Sequence, residues 1–170
     1  MKKRALFIVD AQNDLSHVPF GDKVVPIINS LKNKFDVVIA SIGKDLSFHS
    51  NLDMSGINVF INTDDKSGFS GNIEKFLKSS RIDEIYVVGP AGDTIVKETA
   101  KDCSVFFKTF FIVDATRFTG SINPTVEELV KEDIMVINSG DIDIFLSDEK
   151  YHKRHGVKED NPFEKLYTLK

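Results

Sequence analysis

A single cysteine, Cys103, is all the thiol in this 170-residue chain, which excludes an internal disulfide and any cysteine-cluster zinc site. Tryptophan is absent and prolines number only five. No apolar run approaches the roughly 20 residues that span a bilayer. The stretch after basic Met1-Lys2-Lys3-Arg4 runs only from Ala5 to Val9 before Asp10, too short for the apolar part of a secretory signal. Basic charge is not in excess either: 22 Lys and Arg against 26 Asp and Glu leave a net charge of −4, without the positive balance of a general nucleic-acid binder. These absences imply a cytoplasmic protein with neither membrane nor nucleic acid among its partners. What is present is 41% hydrophobic and 28% charged residues, with 14 phenylalanines, the make-up of one globular domain with a Phe-packed core or subunit interface.

Short runs of β-branched and aromatic residues predict strands buried on both faces at 5–9, 36–40, 58–61, 84–88, 106–113 and 134–137. Between them lie helical patterns at 22–34, 72–80, 93–102 and 124–132. Pro26 and Pro124 fall where a first helical turn tolerates proline, and Asn72 and Asp93 are the expected N-caps. Strands alternating with helices imply a three-layer α/β/α, Rossmann-like fold around a six-stranded parallel sheet. The periodic domain covers 1–146. Residues 147–170 lose that rhythm and form an arm packed on the domain, on a partner subunit, or only loosely ordered. Ligands of such sheets sit beyond the strand carboxyl ends, near the reversal of strand order. The corresponding segments are Asp10, 41–45, 62–69, 89–93 and 114–117.

Three of these segments carry a resemblance. Asp10-Ala11-Gln12-Asn13-Asp14-Leu15 follows the first strand. Val87-Val88-Gly89-Pro90-Ala91-Gly92-Asp93-Thr94-Ile95-Val96-Lys97-Glu98-Thr99-Ala100 spans a strand, turn and helix. Asp114-Ala115-Thr116-Arg117 follows the next strand. In this order they resemble the D-x-Q-N-D-F, V-x-G-x-A-T-D-x-C-V-x-x-T-A and D-A-T-R segments of the isochorismatase/nicotinamidase-like cysteine hydrolases. The resemblance implies that fold, and a triad in which an aspartate takes the proton of a thiol, a lysine stabilises the charged state and the thiolate attacks a carbonyl or nitrile carbon.

Asp10 stands at the aspartate position. The cysteine position is Ile95, which has no nucleophilic atom, and the lysine position is Thr63, in a K-x-x-x-x-x-F pattern that ends at Phe69, with Lys66 close by. Metal-binding relatives carry D-x-H-P after the second strand; here Gly43 and Asp45 fall at the ligand positions, so no metal and no other cofactor is implied. Ala91 and Gly92 would let a carbonyl oxygen approach the backbone amides that serve relatives as an oxyanion hole, often across a cis peptide. With His17, Lys66 and Phe69 they complete the expected substrate-binding set. Cys103, about 12 Å further along the helix than Ile95, is read as a buried hydrophobe. Asp10 is either a surviving base or a cap on nearby amides.

Three functional readings stay open. The first is a catalytically inactive member of that family, a pseudoenzyme that keeps a pocket for a small carbonyl or amide metabolite or for a protein. The second is a divergent amide hydrolase using Asp10 and water, with His17 or Lys66 assisting. The third is a structural homodimer or larger homo-oligomer built through its Phe-rich surface and C-terminal arm. The resemblance implies oligomers generally, and the 106–111 run is either core or the neighbourhood of such an interface.

Overall fold

β1 (Arg4–Ile8) and β4 (Glu84–Gly89) are buried along their whole length, as the unbroken apolar runs predict for strands covered on both faces. The computed structural model describes residues 2–12, 23–44, 46–62 and 66–147. Within these, β2 (Val37–Ile42), β3 (Val59–Asn62), β5 (Lys108–Thr116) and β6 (Met135–Ile137) complete a six-stranded sheet in the order β3-β2-β1-β4-β5-β6. Every ladder is parallel. Strand order therefore reverses between β1 and β4, and the crevice beyond their carboxyl ends is where such a sheet receives a ligand.

The two-residue period of the strands sorts side chains between two cores. On one face Leu6, Ile8, Tyr86, Val88, Phe110 and Ile112 pack with Val25, Ile28 and Leu31 of α1 (Val24–Leu31) and with Ile142 of α5 (Ile142–Leu146). On the other, Ala5, Phe7, Ile85, Val87 and Phe111 meet α2 (Gly71–Ser79), α3 (Ile95–Ser104) and α4 (Ile122–Lys131) through Ile73, Leu77, Val96, Ala100, Cys103 and Leu129. Phe107, Phe110 and Phe111 are core, so most of the phenylalanine run faces inward; Phe106 is 47% exposed. No helix among the described residues is long and apolar enough to cross a membrane.

All six expected strands form. α2 begins after Ser70, not Asn72, and α4 after Ser121, which leaves Pro124 inside the first turn. α3 begins after Thr94; Asp93 is not its cap, because its carboxylate is engaged elsewhere. Residues 148–170, and with them the expected C-terminal arm, lie outside the described residues.

Candidate functional site

The chain leaves β1 through a sharp turn at Asp10, whose φ of 57° is in the left-handed region that aspartate tolerates better than most residues. Ser41, buried at the end of β2, holds the turn: its Oγ accepts the Asp10 N–H at 3.1 Å and its carbonyl accepts the Ala11 N–H at 3.1 Å. Gln12 reaches across, its Oε1 accepting the Gly43 N–H at 3.0 Å, and it bridges Phe48 antiparallel. The glutamine of the D-x-Q segment thus ties two strand exits together. The Asp10 carboxyl is partly buried, and that burial pushes its pKa above the ordinary carboxylate range.

β4 ends at Gly89, where φ is 154° and an added Cβ would lie 2.2 Å from the Val9 carbonyl oxygen. Here β5 carries extra residues against β4: Val87 pairs with Phe111 but Gly89 pairs with Thr116. The bulge brings the Asp114–Arg117 segment against the turn. Arg117 donates its N–H to Gly89 O at 3.0 Å and accepts that of Gly92 at 2.7 Å. A Cβ on Gly92 would lie 2.6 Å from Thr116 Cγ2 and 2.8 Å from Phe118. The smallness of Gly92 therefore serves packing on the β5 exit, and its amide is bonded to Arg117 O within the chain. Thr94 and Val96 donate to Ala91 O at 3.2 and 3.1 Å. Ala91 itself is partly buried on this turn. No cis peptide occurs among the described residues.

Asp93 faces away from α3. Its carboxylate accepts the Gly120 N–H at 3.1 Å, the Thr119 N–H at 3.3 Å and a short bond from the Thr119 hydroxyl. Burial pulls its pKa up, but these bonds outweigh it and hold the group below its ordinary 3.8. Asp93→Ala is expected to cost about 1 kcal/mol, since the bonds are largely exposed. Because the folded pKa is the lower one, that contribution is complete above pH 3.8 and is lost as pH falls through the folded value. Urea unfolding of both proteins at neutral and acid pH should show the gap closing.

Ile95 opens α3 directly after this turn and packs, partly buried, against the second core. One turn on, buried Thr99 is a joint that sequence reasoning did not single out: its hydroxyl donates to Ile95 O at 2.7 Å and accepts the Gly68 N–H at 2.8 Å. The retained T-A of the V-x-x-T-A pattern is the signal that marks it. This joint pins the 66–69 segment to α3. Within the segment Lys66 is exposed, whereas Phe69 stacks on Phe106 at 6.0 Å and meets Phe107 edge-on at 6.4 Å, residues that follow the far end of α3. Phe69 is thus packed with residues that follow the far end of α3. Thr63, His17 and Asp45 lie outside the described residues. Cys103 is fully buried, and burial drives its thiol pKa well up, so it stays protonated and inert.

Solved structures share this arrangement of strands and helices. A nicotinamidase/pyrazinamidase from Acinetobacter baumanii superposes with a TM-score of 0.75 at 22% identity, over 84% of this chain and 99% of that one. PnC1 from L. infantum in complex with nicotinate gives 0.74 at 20% identity, over 82% and 94%. The fold is that of the nicotinamidases and isochorismatase-like hydrolases. An isochorismatase-like hydrolase from Alkaliphilus metalliredigens extends the likeness, with a TM-score of 0.73 at 17% identity, over 86% of this chain and 99% of that one. At such identities the likeness carries the isochorismatase-like fold alone. The sequence matches no family model and no curated protein. At the first of the two expected ligand positions Gly43 offers no side-chain ligand and its N–H is bonded to Gln12; among the described residues no group of three or more His, Cys, Asp or Glu could hold an ion.

Proposed function

We propose that this chain is a binding protein on an isochorismatase-like hydrolase fold and does not act as a cysteine hydrolase. The observation that carries the reading is the side chain that opens α3. Ile95 opens α3 immediately beyond the turn that leaves β4, one of the two strands between which strand order reverses, and a sec-butyl group has no electron pair with which to attack a carbonyl. The one thiol of the chain, Cys103, is sealed in the core, where burial drives its pKa well up and keeps it protonated. The ligand class that suits the crevice is a small carbonyl or amide metabolite, its apolar part on Ile95 and its polar part toward the Asp10 carboxyl.

The test is ammonia release from nicotinamide and related small amides by the native chain and by a Thr63→Lys/Ile95→Cys variant. The native chain is expected to release none above the buffer rate, and the variant to show slow turnover. Binding of the same amides to the native chain should raise its unfolding temperature in proportion to the logarithm of their concentration once the site saturates.

One observation favours a second reading. A carboxyl whose pKa burial raises toward the operating range, as for Asp10, is what general-base activation of a water requires. Ammonia release by the native chain that Asp10→Asn abolishes, without loss of folding, would establish that hydrolase and overturn the binding-only reading.

A further inference from the structure

β3 is an outer edge of the sheet, and among the described residues β2 is its only strand neighbour. Asn58 donates its N–H to Val38 O at 2.8 Å. Main-chain groups alternate sides along a strand, so those of Phe60 also face β2 while those of Val59 and Ile61 turn outward. An edge of this kind templates another strand unless charge, proline or a bulge blunts it. Asn58-Val59-Phe60-Ile61-Asn62 contains neither charge nor proline. Phe60 is 54% exposed, with the Phe48 ring edge-on at 5.6 Å beside it among the described residues, while Val59 and Ile61 point to the other face and pack on its core.

The same five residues read alike in both directions by side-chain type: asparagine, branched aliphatic, phenylalanine, branched aliphatic, asparagine. A two-fold axis through Phe60 would set Asn58 against Asn62 of a second copy, Val59 against Ile61, and Phe60 against itself. Val59 and Ile61, with outward main-chain groups, then form the hydrogen-bonded pairs. Phe60 forms the close, non-hydrogen-bonded pair in which side chains contact best. Across a two-fold axis any charge near the axis faces its own copy; the residues from Ser55 to Asn62 carry none, so nothing in this edge repels itself. The opposite edge, β6, is three residues long and follows Glu132-Asp133, which makes it the poorer template.

We infer that this chain forms a two-fold dimer by antiparallel pairing of its β3 edges across Phe60, joining two six-stranded sheets into one. The occupant of the exposed Phe60 face is a second copy of the chain, and the two rings shield each other from water. This surface is distinct from the strand-end crevice and does not depend on what that crevice binds.

Sedimentation velocity of the full chain over a wide concentration range tests the inference. The native chain should sediment as a dimer. Phe60→Lys and Phe60→Glu, each placing like charges on the axis, should each raise the dissociation constant at least about 100-fold. An equimolar mixture of the two should dimerise again, because the opposite charges then meet. Phe60→Cys should give a reducible covalent dimer under mild oxidation, since a non-hydrogen-bonded pair spaces its Cα atoms at about 4.5 Å, within disulfide range. Cys103 is fully buried and does not compete, and Ile144→Cys, at a residue 56% exposed elsewhere, should not cross-link. A native chain that is monomeric throughout, or a dimer that both charged variants leave intact, would overturn the proposal. If a charged variant fails to fold, cross-linking of Phe60→Cys decides alone, and its absence sinks the pairing.

Discussion

Glu84→Ala is expected to lower stability by roughly 3 kcal/mol, the cost of stranding a buried charge partner, and so to lower the unfolding temperature by roughly 6–12 °C for a chain of this size. Glu84 sits at the entry of β4, 3% exposed, and gathers the amino-terminal edge of the sheet around it. Its Oε2 accepts from Arg4 Nε at 2.9 Å and from the Tyr86 hydroxyl at 3.3 Å; its Oε1 accepts from Lys2 Nζ at 2.9 Å, with Lys108 at 3.8 Å. Arg4 is itself 8% exposed, so it has little water to turn to once the carboxylate is gone. Lys2 and Lys108 are more than a third exposed, and solvent screening leaves them small shares. Burial pushes the Glu84 pKa up, yet the hydrogen bonds from Lys2 and Arg4 and the charges of Lys2 and Lys108 prevail and hold it below its ordinary 4.5. The folded pKa being the lower, this stability is fully present above pH 4.5 and drains away as pH falls through the folded value. Urea unfolding across that range should show native and variant converging in acid. An Arg4→Met/Glu84→Ala double variant should lose less than the sum of the single changes, because removing both charges leaves neither one stranded.

The sheet was legible in the sequence because its strands are buried on both faces: runs such as Leu6-Phe7-Ile8 and Ile85-Tyr86-Val87-Val88 need no periodicity to be recognised. Boundaries slipped where tertiary contacts, not propensity, set them. β5 runs on through Asp114 because Ser139 satisfies that carboxylate, donating N–H at 2.7 Å and Oγ at 2.5 Å; an aspartate in isolation reads as a strand end. The first two residues of the strand expected at 106–113, Phe106 and Phe107, instead follow the end of α3, donating to Cys103 O at 3.1 and 2.9 Å. α5 went unread although Ile142, Phe145 and Leu146 have helical spacing, since a helix of five residues draws its stability from packing on the core and from little else.

The candidate site was legible in a different way. Pattern matching located Asp10, Ile95 and the Gly89–Gly92 turn, and the strand-end rule put them at the reversal of strand order. Residues that hold these pieces were not legible, because their signal is pairwise. Ser41 and Thr99 are ordinary strand and helix residues until Asp10 and Gly68 present their amides to them. Asp93 looked like a cap because it precedes a helix, but its bonds to Thr119 and Gly120 cross from β4 to the exit of β5, a relation created by the bulge.

Gly89→Ala should be the most damaging glycine-to-alanine change among the described residues. Two costs combine at Gly89. Its φ of 154° is closed to residues with a Cβ, a strain of about 1–3 kcal/mol. The methyl would also lie 2.2 Å from Val9 O and 2.9 Å from Val96 Cγ2. The first of these atoms is backbone in the centre of the sheet and cannot swing aside as a flexible side chain would, adding overpacking of about 1–3 kcal/mol. The expected total is roughly 4 kcal/mol, read as a shift of the urea midpoint. Gly56→Ala supplies the comparison: φ there is 74° but nothing lies within 4 Å of the new methyl, so only strain of about 1–2 kcal/mol remains. The difference between the two variants measures how tightly β1 and β4 close on each other. That closure is also what positions the crevice. Val9 N–H meets Val88 O at 2.8 Å and Arg117 N–H meets Gly89 O at 3.0 Å, so prying Gly89 from Val9 moves the Asp10 turn away from the turn that carries Ile95. Amide-dependent stabilisation of the protein should therefore be lost in Gly89→Ala even under conditions where it stays folded, and be retained in Gly56→Ala. Equal loss in both would mean that the ligand reads global stability and not the geometry between β1 and β4.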